Sequence, residues 1–94
     1  MPDSKTDKKV VLITGAAKRV GASIAKLCHQ QGMRVAIHYR ESAQQASILC
    51  AGFNQQRPHS AIALAADLRD NDKLEQLILQ VVDEWGQLDV RSEE

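Results

Sequence analysis

The residues best placed to do chemistry lie in "LITGAAKRVGASIA", Leu12 to Ala25. An apolar run stops at Thr14 and Gly15, two alanines precede Lys18 and Arg19, and Gly21 opens an amphipathic stretch. A turn from a strand into a helix aims unpaired backbone N–H groups and the positive end of a helix dipole at one spot. Gly15 can take φ values closed to other residues, so the chain can turn tightly there. Gly21 lets the start of the helix lie close to a ligand or a neighbouring strand. Lys18 and Arg19 add positive charge beside the same spot. A pyrophosphate fits these features. The loop is not G-x-G-x-x-G, because no glycine stands between Gly15 and Gly21. Nor is it a P-loop, because Ala22 and Ser23 follow Gly21 where that motif needs lysine and Ser/Thr. Its alternative reading is a plain turn with a solvated Lys-Arg pair.

Two further clusters fall at the ends of later apolar runs. In dinucleotide folds the tip of the second strand, about 20 residues beyond the glycine loop, meets the adenosine ribose. An acid there accepts the 2′-hydroxyl of NAD, and an arginine accommodates the 2′-phosphate of NADP. Here that tip reads "HYRES". Arg40 can form charge-assisted bonds to a phosphate and Ser42 can donate another. Glu41 pulls the other way, toward a ribose hydroxyl. Given the glycine loop at the right distance, NADP is expected over NAD. After the third run comes "ADLRD". Asp67 would stand at the carboxyl end of a strand, where ligands gather in open α/β sheets, and could accept a bond from an adenine amino group. Alone, it reads as a turn or helix-entry aspartate. His29, His38 and His59 lack metal-ligand spacing, so structural or surface roles are expected. Cys28 and Cys50 form no C-x-x-C pair and read as small buried hydrophobes.

The elements that must position these groups follow from hydrophobic period. "VVLIT" (Val10–Thr14) is a β-branched run suited to a strand buried on both faces. Val20, Ile24, Leu27, Cys28 and Gln31 fall at helical spacing, with Gly32 at the C-cap position. "MRVAIHY" predicts the second strand. "SAQQASILCAGFN" predicts a helix with Ala46, Leu49, Cys50 and Phe53 on one face. "SAIALAA" predicts a third strand. Leu74, Leu77, Ile78, Val81, Val82 and Trp85 make a long helical stripe, capped by Asp70 or Asn71 and ended by Gly86. "QLDV" approaches a fourth strand, but "RSEE" is polar, and the strand is expected to abort there. The alternation specifies a parallel sheet with helical crossovers, half of a doubly wound dinucleotide-binding fold. Without a fourth strand, "VVLIT" would be an exposed apolar edge, a site for self-association or for pairing with another chain.

Composition narrows the classes. Ninety-four residues allow one domain. A chain of this size buries roughly 60–65% of its unfolded surface, so its core is thin. Twelve basic and twelve acidic residues cancel, which removes the electrostatic case for nucleic acid or an anionic membrane as partner. The apolar run behind the polar "MPDSKTDKK" is too short for a signal-peptide core or a membrane span, and a cytoplasmic location is expected. Residues 1–9 read as a polar tail, 10–90 as a partial nucleotide-binding domain and 91–94 as a polar end.

"TGAAKRVG", "HYRES", "ADL" and "WGQLDV", in this order, resemble the N-terminal half of a short-chain dehydrogenase/reductase, over Val10 to Val90. Thr14, Gly15 and Gly21 match the family's T-G-x-x-x-G-x-G, with Arg19 in place of the middle glycine. That replacement and the "HY-Arg" strand end resemble the pteridine reductase branch, which uses NADPH to reduce pterins. The resemblance implies an α/β fold, the N-terminal half of a three-layer Rossmann sandwich truncated near strand four. It implies that Gly15, Lys18, Arg19, Val20 and Gly21 line the pyrophosphate of NADP(H), with Arg19 also reaching toward the pterin. It places Tyr39, Arg40 and Ser42 around the 2′-phosphate, His38 at the strand end beneath, and Asp67 and Leu68 against the adenine. The family's catalytic tyrosine stands four residues before a lysine that lowers its pKa. This sequence has one tyrosine, Tyr39, with Ala43 four residues later, and its two asparagines, Asn54 and Asn71, make no Asn-Asn-Ala. No catalytic residue is carried over, and the chain alone is expected to be inactive. The competing expectation is a non-catalytic nucleotide-binding or interaction module that completes its sheet with a partner chain.

Overall fold

A computed structural model of the chain describes residues 9–15, 19–67, 69 and 71–92, with Arg19, Val20, Asn71 and Ser92 described by their backbone alone. The elements run β1 (Val10–Ile13), α1 (Arg19–Gln30), β2 (Arg34–Tyr39), α2 (Ala43–Gln56), β3 (Ala61–Ala65), α3 (Asn71–Trp85) and β4 (Val90–Ser92). The strands form one parallel sheet in the order β3-β2-β1-β4. This is the first half of the doubly wound order.

Because strand side chains alternate between faces, the apolar runs supply two cores at once. Val11, Ile13, Val35 and Ile37 face one side and pack with Ala25 of α1 and with Ala46 and Phe53 of α2. Val10, Leu12 and Ala36 face the other and pack with Leu77 and Val81 of α3. The result is three layers: α1 and α2, the sheet, then α3. Burial on both faces accounts for the continuous apolar run of β1 and for the apolar Val35-Ala36-Ile37 of β2.

Helix faces follow the expected stripes with two exceptions. Ala46, Leu49, Cys50 and Phe53 all meet the first core, and Leu74, Leu77, Ile78, Val81 and Trp85 the second. Leu27, however, is 59% exposed. The inward line of α1 is instead Gly21, Ala25 and His29, all buried. Leu27 lies two residues, about 200°, round from Ala25. Small residues on the inner line bring the helix axis close to the sheet. Val82, at the margin of its stripe, is likewise exposed. Gly32 and Gly86 close α1 and α3 with φ of 94° and 78°.

The loop before β3 is tied down by side chains. Asn54 Oδ1 accepts from the Ser60 and Ala61 amides (2.8 and 3.0 Å), and its Nδ2 donates to the Ala61 carbonyl (2.9 Å). Arg57 donates to the His29 and Met33 carbonyls (3.1 and 2.5 Å), capping the end of α1. His29 is buried, stacks on Phe53 with ring centroids 4.4 Å apart, and shares a 2.8 Å bond with Ser60 Oγ. The Ser60 hydroxyl donates to the Phe53 carbonyl (3.2 Å), so His29 Nε2–H is the donor to Ser60. Cys28 and Cys50 are free thiols, half-buried against the first core, and burial pushes both thiols up.

The fourth strand corrects the expectation that it aborts. Val90, Arg91 and Ser92 pair with Val11, Leu12 and Ile13. Polar side chains do not prevent this, because the ladder is made by backbone groups. Asp89 anchors it. Its amide donates to the Val10 carbonyl (2.9 Å), and its Oδ2 accepts from the Val10 amide (2.8 Å). Every residue of β1 is therefore interior, at most 1% exposed, and the proposed self-association through a bare strand-one edge has no edge to use. The lateral strands of this sheet are β3 and β4.

Candidate nucleotide-binding site

The carboxyl ends of β1, β2 and β3 are clamped together by one side chain. Past Ile13 the chain turns at Thr14 and Gly15, and Gly15 takes φ 69°, a region that favours glycine. The Gly15 amide donates to His38 Nδ1 at 3.2 Å. The opposite ring nitrogen, Nε2, meets the Ala66 carbonyl at 2.8 Å. Because a carbonyl only accepts, Nε2 carries the hydrogen and Nδ1 the lone pair, which defines a neutral tautomer. The Ala66 amide closes the circuit on the Tyr39 carbonyl (3.1 Å). His38 is 6% exposed. It thus acts as a strut between the glycine turn and the tip of β3.

Helix α1 begins at Arg19, four residues after Gly15. Its first-turn amides have no intrahelical acceptor, and no acidic residue stands in that turn to oppose an anion. Gly21 is buried in the same turn. Lys18 lies outside the described residues, as do the side chains of Arg19 and Val20.

The β2 and β3 tips carry four charges. Tyr39 is half-buried on the first core, and beyond it Arg40 Nη2 donates to Glu41 Oε2 at 2.9 Å. Ser42 occupies the N-cap position of α2 with no capping bond from its hydroxyl. At the β3 tip Arg69 grips Asp67. Nε approaches both carboxylate oxygens (3.0 and 3.2 Å), Nη2 donates to Oδ2 (2.6 Å), and the Arg69 amide donates to Oδ1 (3.1 Å). These side-chain bonds first, the backbone bond second, and the charge of Arg40 hold the Asp67 carboxyl well below the usual carboxylate range. The side-chain bonds to Asp67 first, then the charge of Asp67 and that of Glu41, push the Arg69 guanidinium up. Leu68 lies outside the described residues.

The sequence-expected residues thus gather at one end of the sheet: Gly15, Gly21, His38, Tyr39, Arg40, Ser42 and Asp67. Arg69 was not among them. Its signal was the Asp-x-Arg spacing in "DLR", in which a guanidinium can fold back on a carboxylate two residues earlier. His29 and His59 stand elsewhere, His59 paired at 2.5 Å with Glu84 on the surface. Among the described residues no three His, Cys, Asp or Glu groups could hold a metal, and no helix is long and apolar enough to cross a membrane.

A parallel sheet ordered 3-2-1-4, with a glycine turn and helix N-terminus at the carboxyl end of its central strand, defines an α/β protein with the first half of a Rossmann fold. Residues 9–91 match the short chain dehydrogenase family, and the chain belongs to it. It is similar to pteridine reductase 1 of Leishmania tarentolae, with 54% identity over 59 residues, covering 63% of this chain and 20% of the relative. It is similar to versicolorin reductase stcU of Emericella nidulans, at 34% over 88 residues, covering 94% and 33%. It is also similar to the 3-oxoacyl-[acyl-carrier-protein] reductase FabG of Staphylococcus aureus, at 33% over 82 residues, covering 87% and 33%. The chain spans a fifth to a third of the length of these relatives. The family implies a nicotinamide cofactor. The donor set fits the phosphates of one: the first-turn amides of α1, a glycine turn braced by His38, and guanidinium groups at the strand tips.

Proposed function

We propose that this chain is the cofactor-binding half of an NADPH-dependent short-chain reductase related to pteridine reductases. The observation that carries this reading is the His38 strut, which holds the glycine turn beside a strand tip bearing Arg40. In this reading Gly15, Lys18, Arg19, Val20 and Gly21 surround the pyrophosphate. Tyr39, Arg40 and Ser42 receive the adenosine 2′-phosphate, and Asp67 and Leu68 border the adenine. When bound, the cofactor supplies hydride. The residues here bind and orient it. The 94 residues contain no Tyr-x-x-x-Lys, so proton transfer to a reduced substrate needs residues beyond them. The pterin substrate is proposed from the similarity to pteridine reductase 1.

Fluorescence titration with NADPH, with NADH as control, tests the reading. The expected result is saturable NADPH binding, tighter than NADH by roughly tenfold, or about 1.4 kcal/mol, a charge-assisted bond of about 1.5–3 kcal/mol reduced by solvent screening. Equal affinities would refute the NADP assignment. No binding of either would refute the cofactor-site reading itself.

A further inference from the structure

Resting on the NADPH reading above, we propose that Arg69 is a second anion-binding residue of the adenosine-phosphate subsite and sets its preference for a 2′-phosphate together with Arg40. The argument begins with charge. A phosphate monoester carries about −1.5 to −2 near neutral pH. The β2 tip offers Arg40, but Glu41 already takes up its guanidinium at 2.9 Å, and that pair is neutral. One arginine beside its own counter-ion does not balance a dianion. The β3 tip offers a second guanidinium, Arg69, which like Arg40 can exchange its acid for the phosphate. The two tips are neighbours: Tyr39 pairs with Ala65 and the Ala66 amide donates to the Tyr39 carbonyl (3.1 Å), so Arg40 and Asp67-Arg69 follow adjacent strand ends. Each arginine is held by an acid in an exposed pair, Arg40 by Glu41 and Arg69 by Asp67.

The contacts of Arg69 suit exchange. Its side chain is 75% exposed and that of Asp67 42%. Ion pairs this open are worth little in water, so a ligand that brings its own negative charge competes with Asp67 on favourable terms. The guanidinium has five donors in a planar fork, a shape matched to phosphate as well as to carboxylate. Transfer of Arg69 from Asp67 to a 2′-phosphate also frees the Asp67 oxygens to accept the adenine amino group. One movement thus completes both halves of the adenosine subsite. The bond from the Arg69 amide to Asp67 Oδ1 keeps the turn in place while the guanidinium moves.

The test uses the 94-residue chain and two probes without a nicotinamide, adenosine 2′,5′-bisphosphate and adenosine 5′-monophosphate, titrated by calorimetry. The variants are Arg69→Gln, Arg69→Lys and Arg40→Gln, each checked by circular dichroism. Arg69→Gln is expected to weaken the bisphosphate about tenfold and the monophosphate less than about twofold, with Arg69→Lys in between, because lysine keeps the charge but loses the fork. If Arg69→Gln weakens both probes equally, Arg69 merely positions Asp67 and the inference fails. If Arg40→Gln discriminates and Arg69→Gln does not, the inference fails while the NADPH reading stands. If the parent chain binds neither probe, the NADPH reading fails and takes the inference with it.

Discussion

The Gly15 amide donates to His38 Nδ1 at 3.2 Å, and through the same ring the glycine turn is tied to the Ala66 carbonyl beyond β3. A residue buried to 6% exposure therefore sets the position of the glycine turn. Removing it strands one donor and one acceptor. His38→Ala is expected to cost about 1–3 kcal/mol of stability, the range for an unsatisfied buried polar group. Urea denaturation measures this. NADPH affinity is expected to fall as well, because Gly15 loses its brace. An unchanged affinity in a folded His38→Ala chain would separate the strut from binding.

Asp89 makes a second long-range tie. Its carboxylate accepts the Val10 amide at 2.8 Å, although 79 residues separate them. Asp89→Ala removes the acceptor of that amide and loosens β4 on β1. The expected loss is about 1–3 kcal/mol, with faster hydrogen exchange in β1 and β4. Asp89→Asn keeps a carbonyl oxygen and is expected to lose less. Exposure of the β1 edge is also expected to raise light scattering in Asp89→Ala.

Stability should depend on pH through His29. Burial first, and the positive charge of Arg57 second, lower its pKa from the ordinary 6.5. The unfolded chain therefore takes up a proton near pH 6.5 that the folded chain refuses. The stabilising contribution is present above that pH and is lost as pH falls from 6.5 toward the lowered folded value. The slope from this one group is at most about 1.4 kcal/mol per pH unit. Thermal midpoints measured between pH 8 and pH 5 should fall with acidity, and His29→Gln should flatten that fall above the range where carboxylates titrate.

Glu41 holds Arg40 at the proposed phosphate position. Glu41→Gln removes a negative charge from that position and leaves Arg40 without its adjacent counter-ion. NADPH affinity is expected to rise by roughly three- to tenfold at low salt and by less at 0.5 M salt, since exposed charges are screened. NADH affinity should stay level or fall. A titration series in both salts reads the difference.

The fold was largely legible because its signals are local. The apolar runs of β1 and β2, the stripe Leu74-Leu77-Ile78-Val81 and the glycines after α1 and α3 each act within a few residues. β4 was misread because a strand of polar residues has no local signature when its pairing is made by backbone and by Asp89. Leu27 was placed inward because periodicity cannot say which of two adjacent lines faces a sheet. Arg69 was missed because its partner is a side chain in a turn, where no period operates.

By itself, then, the sequence determined the order of strands and helices, the glycine turn after β1 and the charged tip at Arg40, since backbone propensity and burial pattern act over short distances. Tertiary structure decided the rest. It set His38 between Gly15 and Ala66, closed β1 between β2 and β4 and turned Leu27 outward. These outcomes rest largely on groups that meet only when the chain has folded and buried donors must find acceptors wherever the fold puts them.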